Sequence, residues 1–524
     1  MRHIPELQGK WFGNLDILFL QMSSPHKNYI GEMWIPIVKN LGTSFSVRIL
    51  NDYRLCTMNP LNIQRILATD FDHYGKGKFF NDITSSMLGQ GVFNSDGDLW
   101  QFHRKTIRPF FTKDRVSDLM LYERKADLAL GKMQERLDAG IPVDFQDLAG
   151  RFTLDAASEF LLGTSVNALN AFLPLPYNHP SAKRELNGEL LTSSSSDFAT
   201  AFARAQVILL DRIERAPFGP LFEMKEDEIV VPMKEILKFV DPIVRNALSQ
   251  TRRKVQKPED KAVGSVEDDD ESTFLMHLLE STDDMKMVVD EILNILVAGR
   301  DTTASLITSA VYFLTLHPDI LARLRQEIES VCGSGTNRLS HEIIRNMKYL
   351  RAFLNETLRL IPPVPFNLRE SNAETSWVDD EGNQLYVPKG TRVVMNIINM
   401  QRHEPYWGPD AHIFDPGRWL DARVQRYISN PFIFVPFNGG PRMCLGQQFA
   451  YTEASIFLIR LLSRYDRIKL EPEAQPPHTK PPAEWRDPSI EKKYGQTRMP
   501  IEQVLHRSHL TTYVDLAQNR LSIE

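Results

Sequence analysis

The chain has 524 residues, 42% hydrophobic and 24% charged, the balance of a folded globular protein and not of a disordered or fibrous one. A net charge of −6, with no basic stripe carrying interleaved aromatics, excludes general nucleic-acid binding. Three scattered cysteines, Cys56, Cys332 and Cys444, form no Cys-x-x-Cys or Cys/His spacing, which excludes a disulfide framework and points to a reducing compartment.

No stretch reaches about 18 uninterrupted apolar residues, so no membrane-spanning helix is predicted, and the N-terminus lacks the charged-then-apolar order of a signal peptide. Residues 43–69 predict two short strands, Phe45 to Leu50 and Arg54 to Met58, around a turn at Asn51-Asp52, then a helix led by Pro60. From Tyr74 to Gly97 the pattern is irregular and rich in aromatics, which reads as a binding loop or as loosely ordered surface. Trp100 and Arg104 then share one helical face, a spacing that serves a packing or cation–π pair as well as a common ligand.

Helical periodicity dominates residues 115–250, including an amphipathic pair over 198–213 and from about Val231. Residues 251–272 pass from a basic run to Glu-Asp-Asp-Asp-Glu and read as a solvated charged linker. Met287 to His317 predicts one helix stopped by Pro318, about 30 residues and roughly 45 Å long. Its centre, Ala298-Gly-Arg-Asp-Thr-Thr303, is a poor helix former: glycine alone costs about 1 kcal/mol against alanine, and threonine hydroxyls bond back to carbonyls. Between two apolar arms this reads either as a kink satisfied by its neighbours or as a working break that holds an acid, Asp301, beside a hydroxyl, Thr302.

Further on, Glu356 and Arg359 lie at i, i+3 on one helical face, and Pro362-Pro-Val-Pro365 is extended by its prolines. Residues 472–497, rich in proline and charge, read as a surface insertion, and the stretch from Ser508 alternates like a strand. The densest signal is Phe437-Asn-Gly-Gly-Pro-Arg-Met-Cys-Leu-Gly446, running straight into a helical pattern. It puts Cys444 in a glycine-rich loop at a helix N-terminus, where unpaired N–H groups and the helix dipole lower a thiol pKa from its usual value of about 8.5.

Alone, such a cysteine would be an ordinary buried thiol in a turn. Its neighbours suit a thiolate that ligates a large flat group. Gly440 allows a sharp turn with positive φ, and Gly446 lets backbone approach a planar ring. Arg442 can hold a carboxylate with paired charge-assisted hydrogen bonds, and Phe437 can cover the sulfur.

The pattern Phe-x-x-Gly-x-Arg-x-Cys-x-Gly resembles the haem-binding loop of the cytochrome P-450 family of haem-thiolate monooxygenases. With Trp100/Arg104, the 298–303 segment and Glu356/Arg359 in the family's order, the resemblance runs from about Ile4 to the C-terminus. It implies a single domain over residues 1–524, mainly α with a small β-sheet region, and a haem b between the long central helix and the Cys444 loop. It further implies Cys444 as axial ligand, and Trp100, Arg104, Arg369 and Arg442 as donors to the haem carboxylates. Asp301 and Thr302 would pass protons to bound O2, with Gly299 making room. Glu356 and Arg359, completed by Arg418, would be a buried structural lock, with Gly417 standing where glutamate is more usual. The implied substrate contacts are Phe79, Phe80, Met87, Val92, Phe93, Val364, Phe366 and Leu510, under a roof made by the helix pair after Phe198.

The implied reaction inserts one atom of O2 into an apolar substrate, with electrons from an NADPH-dependent, membrane-bound flavoprotein reductase docking on the Cys444 side. The loop wording from Phe437 to Ala450 is most similar to the fungal branch that acts on alkanes, fatty acids and sometimes polycyclic aromatics, which implies the cytosolic face of the endoplasmic reticulum. Residues 1–30 look like the segment that follows a membrane anchor, so either an anchor is missing or the protein is soluble. Two competing readings, a peroxide isomerase or peroxygenase and a non-enzymatic haem sensor, keep Cys444 but give Asp301 and Thr302 nothing to do. A cysteine hydrolase would need a partner histidine, and none is identifiable.

Overall fold

The computed structural model describes residues 2–23, 30–111, 119–182, 194–215, 218–219, 223–224, 227–256, 273–333, 339–475, 477 and 513–518. Strands β1 (Glu6–Leu7), β2 (Ser44–Ile49), β3 (Asp52–Thr57), β4 (Tyr74–Gly75), β6 (Phe366–Ser371) and β9 (Arg392–Asn396) form one mixed sheet in the order β1-β2-β3-β9-β6-β4. Strands β7 (Thr375–Val378) and β8 (Gln384–Val387) make a separate hairpin. The third sheet joins β10 (Tyr465–Leu470), β11 (Tyr513–Gln518) and β5 (Val143–Asp144). The β2–β3 turn falls one residue earlier than expected: Asp52 already pairs with Ile49, and Leu50 takes the left-handed conformation at φ 51°.

Nine helices carry the argument: α1 (Gly77–Leu88), α2 (Gly97–Ile107), α3 (Leu119–Asp138), α4 (Phe145–Leu162), α5 (Ser194–Arg215), α6 (Val230–Gln256), α7 (Met285–Leu316), α8 (Lys348–Leu360) and α9 (Gln447–Arg464). The fold is therefore mainly helical with a small sheet region, as the sequence implied. Two expectations change. The stretch after Tyr74 is not an irregular loop throughout, because residues 77–88 form α1, leaving only residues 89–96 as turn. The charged linker begins later than residue 251, since α6 continues to Gln256; residues 257–272 lie outside the described residues. Of the 472–497 insertion, a 3-10 turn over Pro472–Ala474 is described.

Helix α7 is the axis. Asp284 caps its N-terminus by accepting from the N–H groups of Lys286 and Met287, and Pro318 forbids its continuation past His317. Its 32 residues span about 48 Å without a non-helical residue, so the Gly-Arg-Asp-Thr centre stays inside the helix. The two halves of α7 belong to different cores. Ile292, Leu293 and Leu296 pack with α5, α6 and Phe274, whereas Leu306, Ile307 and Phe313 pack with α3, α8 and α9. Residues 297–302 lie at the seam and are only partly buried between the buried arms. The poor helix formers thus stand where α7 leaves one core and enters the other.

No single helix among the described residues is long and apolar enough to cross a membrane.

Candidate active site

The loop before α9 is built by three local devices. The Cys444 N–H donates to the Phe437 carbonyl at 2.9 Å and the Met443 N–H to Gly440 at 3.0 Å, closing the chain into a tight bend. Gly440 sits at φ 63°, and a Cβ there would lie 1.9 Å from the Leu67 carbonyl oxygen, so only glycine fits. Gly446 is the N-cap of α9, and Phe437 packs on Tyr451 with ring centroids 5.2 Å apart.

The Cys444 sulfur opens onto a cavity of about 380 Å³ while protein encloses it on its other sides. Burial pushes the thiol pKa up, and the Gly446 N–H and the Arg104 guanidinium pull it back only in part. This corrects the expected direction: desolvation outweighs the helix terminus. A metal bound at the sulfur reverses that balance, because a coordinated thiol loses its proton.

Across the same cavity stands the seam of α7. Ala298, Gly299, Asp301 and Thr302 all border it. The Thr302 hydroxyl donates to the Ala298 carbonyl at 2.7 Å, the back-bond expected of threonine in a helix. The Asp301 carboxylate accepts from Arg300 at 2.8 Å, and its side chain is partly open towards the cavity although it lies deep in the fold. Burial raises its pKa, opposed by Arg300 and Gln206. Gly299 borders the cavity, and a Cβ there would also come within 3.3 Å of Ala157 on α4, so the glycine lets the two helices approach.

A cluster of cations lies along one flank. The Arg442 guanidinium stacks on Trp100 at 4.5 Å and donates to the Ser95 carbonyl and the Asp96 carboxylate, while its Nε is buried without a partner among the described residues. Arg104 donates to the Met443 carbonyl at 2.7 Å and borders the cavity. Arg369, fully enclosed, donates to Asn367 Oδ1 and the Leu368 carbonyl; burial, with Arg442 adding repulsion, lowers its pKa to about 9. Lys76 is pushed well below its usual value by burial and then by Arg369 and Arg442. Lys76, Arg369 and Arg442 thus face Asp96, with Arg104 beside Arg442 and Glu370 beside Asp96, so four cations meet two carboxylates. Such an excess, with a guanidinium Nε left over, is the charge pattern that a ligand carrying carboxylates would neutralise.

A thiol, a largely apolar cavity over a glycine loop and surplus cations at its edge fit a haem. A family model for cytochrome P-450 matches residues 14–490. The chain belongs to the cytochrome P-450 family.

Among similar proteins, cytochrome P-450 52A10 of Candida maltosa is 35% identical over 90% of this chain and 85% of its own length. The cytochrome P-450 monooxygenase himC of Aspergillus japonicus is 36% identical, covering 83% of this chain and 72% of that protein. Cytochrome P-450 52A1 of Candida tropicalis is 34% identical over 84% and 77%. The family implies a haem-thiolate cofactor, use of O2 and a redox partner, and makes this chain a monooxygenase.

Elsewhere in this cytochrome P-450, Glu356, Arg359 and Arg418 meet in the interior, each no more than 1% exposed. Arg359 makes two 2.8 Å bonds to Glu356, Arg418 approaches it at 3.4 Å, and Trp419 and the Asp415 N–H each donate to it at 3.0 Å. Arg359 also donates to the carbonyls of Gln401, Ala411 and Ile413. Gly417 lies in this turn and does not enter the ion pairs.

Of the expected substrate contacts, Val92, Phe93 and Val364 border the cavity. Phe79, Phe80, Met87 and Phe366 are not among its lining residues. Phe79 lies under Arg392 at 3.9 Å and Phe80 under Lys76 at 4.4 Å, because helix formation over residues 77–88 turns both towards the sheet and its cations. Met87 is buried in the core, and Phe366 packs on Trp34. Leu510 lies outside the described residues. No described residue of α5 or α6 lines the cavity; α5 instead reaches α7 through Phe202, under Arg300 at 5.8 Å.

The reading from sequence missed the cavity walls Phe111, Phe160, Ile295 and Leu306, whose spacing is that of any core helix. It also missed Lys76 and Glu453. Glu453, on α9, is fully buried beside Thr303 with both oxygens lacking a close partner among the described residues, and burial drives its pKa well above the usual range.

Proposed function

We propose that Cys444 is the axial thiolate of a haem b, and that the enzyme hydroxylates an apolar substrate such as an alkane, a fatty acid or an aromatic hydrocarbon. The reading rests on one observation: the Cys444 sulfur and the Asp301–Thr302 pair border the same cavity, from the loop and from α7. Arg104, Arg369, Arg442 and Lys76 would hold the haem carboxylates, replacing the anionic charge their cluster lacks. Trp100 sets the plane of Arg442 by stacking on it. When bound, the haem supplies the activation of O2, which thiolate donation favours.

The chain's own groups supply protons and a dry site. Thr302 can release its Ala298 carbonyl and turn its hydroxyl into the cavity, and Asp301, held by Arg300, can recharge it from behind. Phe93 and Val364 present carbon to the substrate, so its orientation comes largely from shape, while Phe111 and Phe160 pack against Gly446 and Phe449 on the Cys444 side. Water is excluded by the same walls. Electrons would come from NADPH through a flavoprotein reductase meeting the Cys444 face, at the cytosolic side of the endoplasmic reticulum. The presence of both Asp301 and Thr302 at the cavity favours monooxygenation over peroxide rearrangement or haem sensing.

The deciding measurement is the carbon-monoxide difference spectrum of the reduced protein. The wild type should show the thiolate-type band, and Cys444→Ser should lose it while still folding. Retention of the band in that variant would remove Cys444 from the role.

A further inference from the structure

The cavity walls Val92 and Phe93 belong to the short turn between α1 and α2, and α7 grips that turn by its backbone. Asp290 Oδ2 accepts from the Gln90 N–H at 3.0 Å, Glu291 Oε2 from Val92 at 3.1 Å, and Asn294 Oδ1 from Phe93 at 3.0 Å. Asn294 Nδ2 donates in turn to the Leu88 carbonyl at 2.8 Å and to Asp290 in its own helix at 2.7 Å. All three side chains are buried, and none borders the cavity. The turn is shaped to meet them. A Cβ on Gly89 would fall 2.0 Å from the Asp290 carboxylate, and one on Gly91 2.2 Å from Asn294 Nδ2. Glu291 Oε2 also meets His103 Nδ1 at 2.8 Å, on α2 between Trp100 and Arg104.

We propose that Asp290, Glu291 and Asn294 are specificity-determining positioning residues: they fix how far Val92 and Phe93 project into the cavity, and hence which apolar substrates it accepts. The inference rests on that cavity being the substrate site. A turn with two glycines and no ladder of its own has many conformations open to it. The Gly91 and Asn94 N–H groups bond within the turn, but those of Gln90, Val92 and Phe93 are accepted by α7 side chains, so the wall is held against the helix behind it.

The test uses the full-length, haem-loaded protein. In Asn294→Ala the Val92 and Phe93 amides should exchange with solvent about tenfold faster. The carbon-monoxide band should stay in place. Binding spectra with straight-chain alkanes and fatty acids of increasing length should change their order of preference, short against long, by about threefold or more. Gly91→Ala provides a second route, since Gly91 does not occupy the left-handed region and the added methyl displaces the wall without removing an acceptor. The same change of preference is expected there. Wild-type exchange rates in Asn294→Ala would overturn the proposal. So would an equal loss of affinity for every probe in both variants, the mark of a merely structural role. Absence of the carbon-monoxide band in the wild type itself would instead sink the haem reading of Cys444, and the exchange rates would still judge the grip on the turn.

Discussion

Two buried groups of charges, both rich in arginine, are organised in opposite ways. Around Glu356 the charges close on themselves: the carboxylate takes Arg359, Arg418, Trp419 and a backbone N–H, and the spare guanidinium protons go to carbonyls. Around Asp96 they do not close, since Lys76, Arg104, Arg369 and Arg442 outnumber Asp96 and Glu370, and Arg442 repels the other three. A saturated cluster holds the fold, whereas an unsaturated one is poised for a ligand. Composition alone would not separate them.

The sharpest way to break the comparison is to open the closed cluster. Glu356→Ala should destabilise the chain by about 3–5 kcal/mol, because the fully buried Arg359 guanidinium loses its counter-charge, while Arg418 keeps its 3.0 Å pair with Asp410. Chemical denaturation measures this, and a loss below about 1 kcal/mol would show that the cluster is not closed in the way described. Removing a cation from the open cluster should act the other way. Arg369→Gln should leave the stability of the haem-free chain unchanged or raised while haem is released about tenfold more readily, read by transfer to an acceptor protein. Equal losses in both variants would erase the distinction.

Thr302→Ala touches neither cluster. Unfolding should shift by less than about 1 kcal/mol, electron consumption should continue, and product should fall as peroxide rises. Unchanged product yield would take Thr302 out of proton delivery. The smallest effect concerns Glu453, a buried acid beside Thr303 with no counter-charge among the described residues. Its folded pKa lies above the ordinary value of 4.5, so as pH rises past that value the unfolded chain sheds a proton that the folded chain keeps, and stability falls. Glu453→Gln should flatten this decline towards neutral pH, followed by denaturation across that range. A slope identical to wild type would mean that Glu453 is paired after all.

What could be read from the chain was local. The Phe437–Gly446 loop, the α7 span, the first hairpin and the Glu356–Arg359 pair each lie within a few residues of one another, and the structure puts the first two at one cavity. What could not be read was set by distance. Phe160 joins the walls because α4 packs on α7, Phe111 joins them from the turn after α2 by lying against Phe160, and Lys76 becomes part of the cation cluster only when β4 and β6 bring it beside Arg369. The Cys444 thiol shows the same limit, since its local helix terminus argued one way and its enclosure by remote residues decided the other. Phe79 and Phe80 were misplaced because a Gly-Lys-Gly-Lys lead hid the helix that follows.

The contact between Gly440 and the Leu67 carbonyl has a consequence for how this enzyme can change. Main chain abuts main chain there, so no side chain can be accommodated and no repacking can relieve the clash. The opposite side of the cavity is lined by exchangeable carbon side chains such as Phe93 and Val364. Adaptation to new substrates is therefore free to proceed on one side only, remodelling what the enzyme recognises while the seat of the sulfur stays fixed.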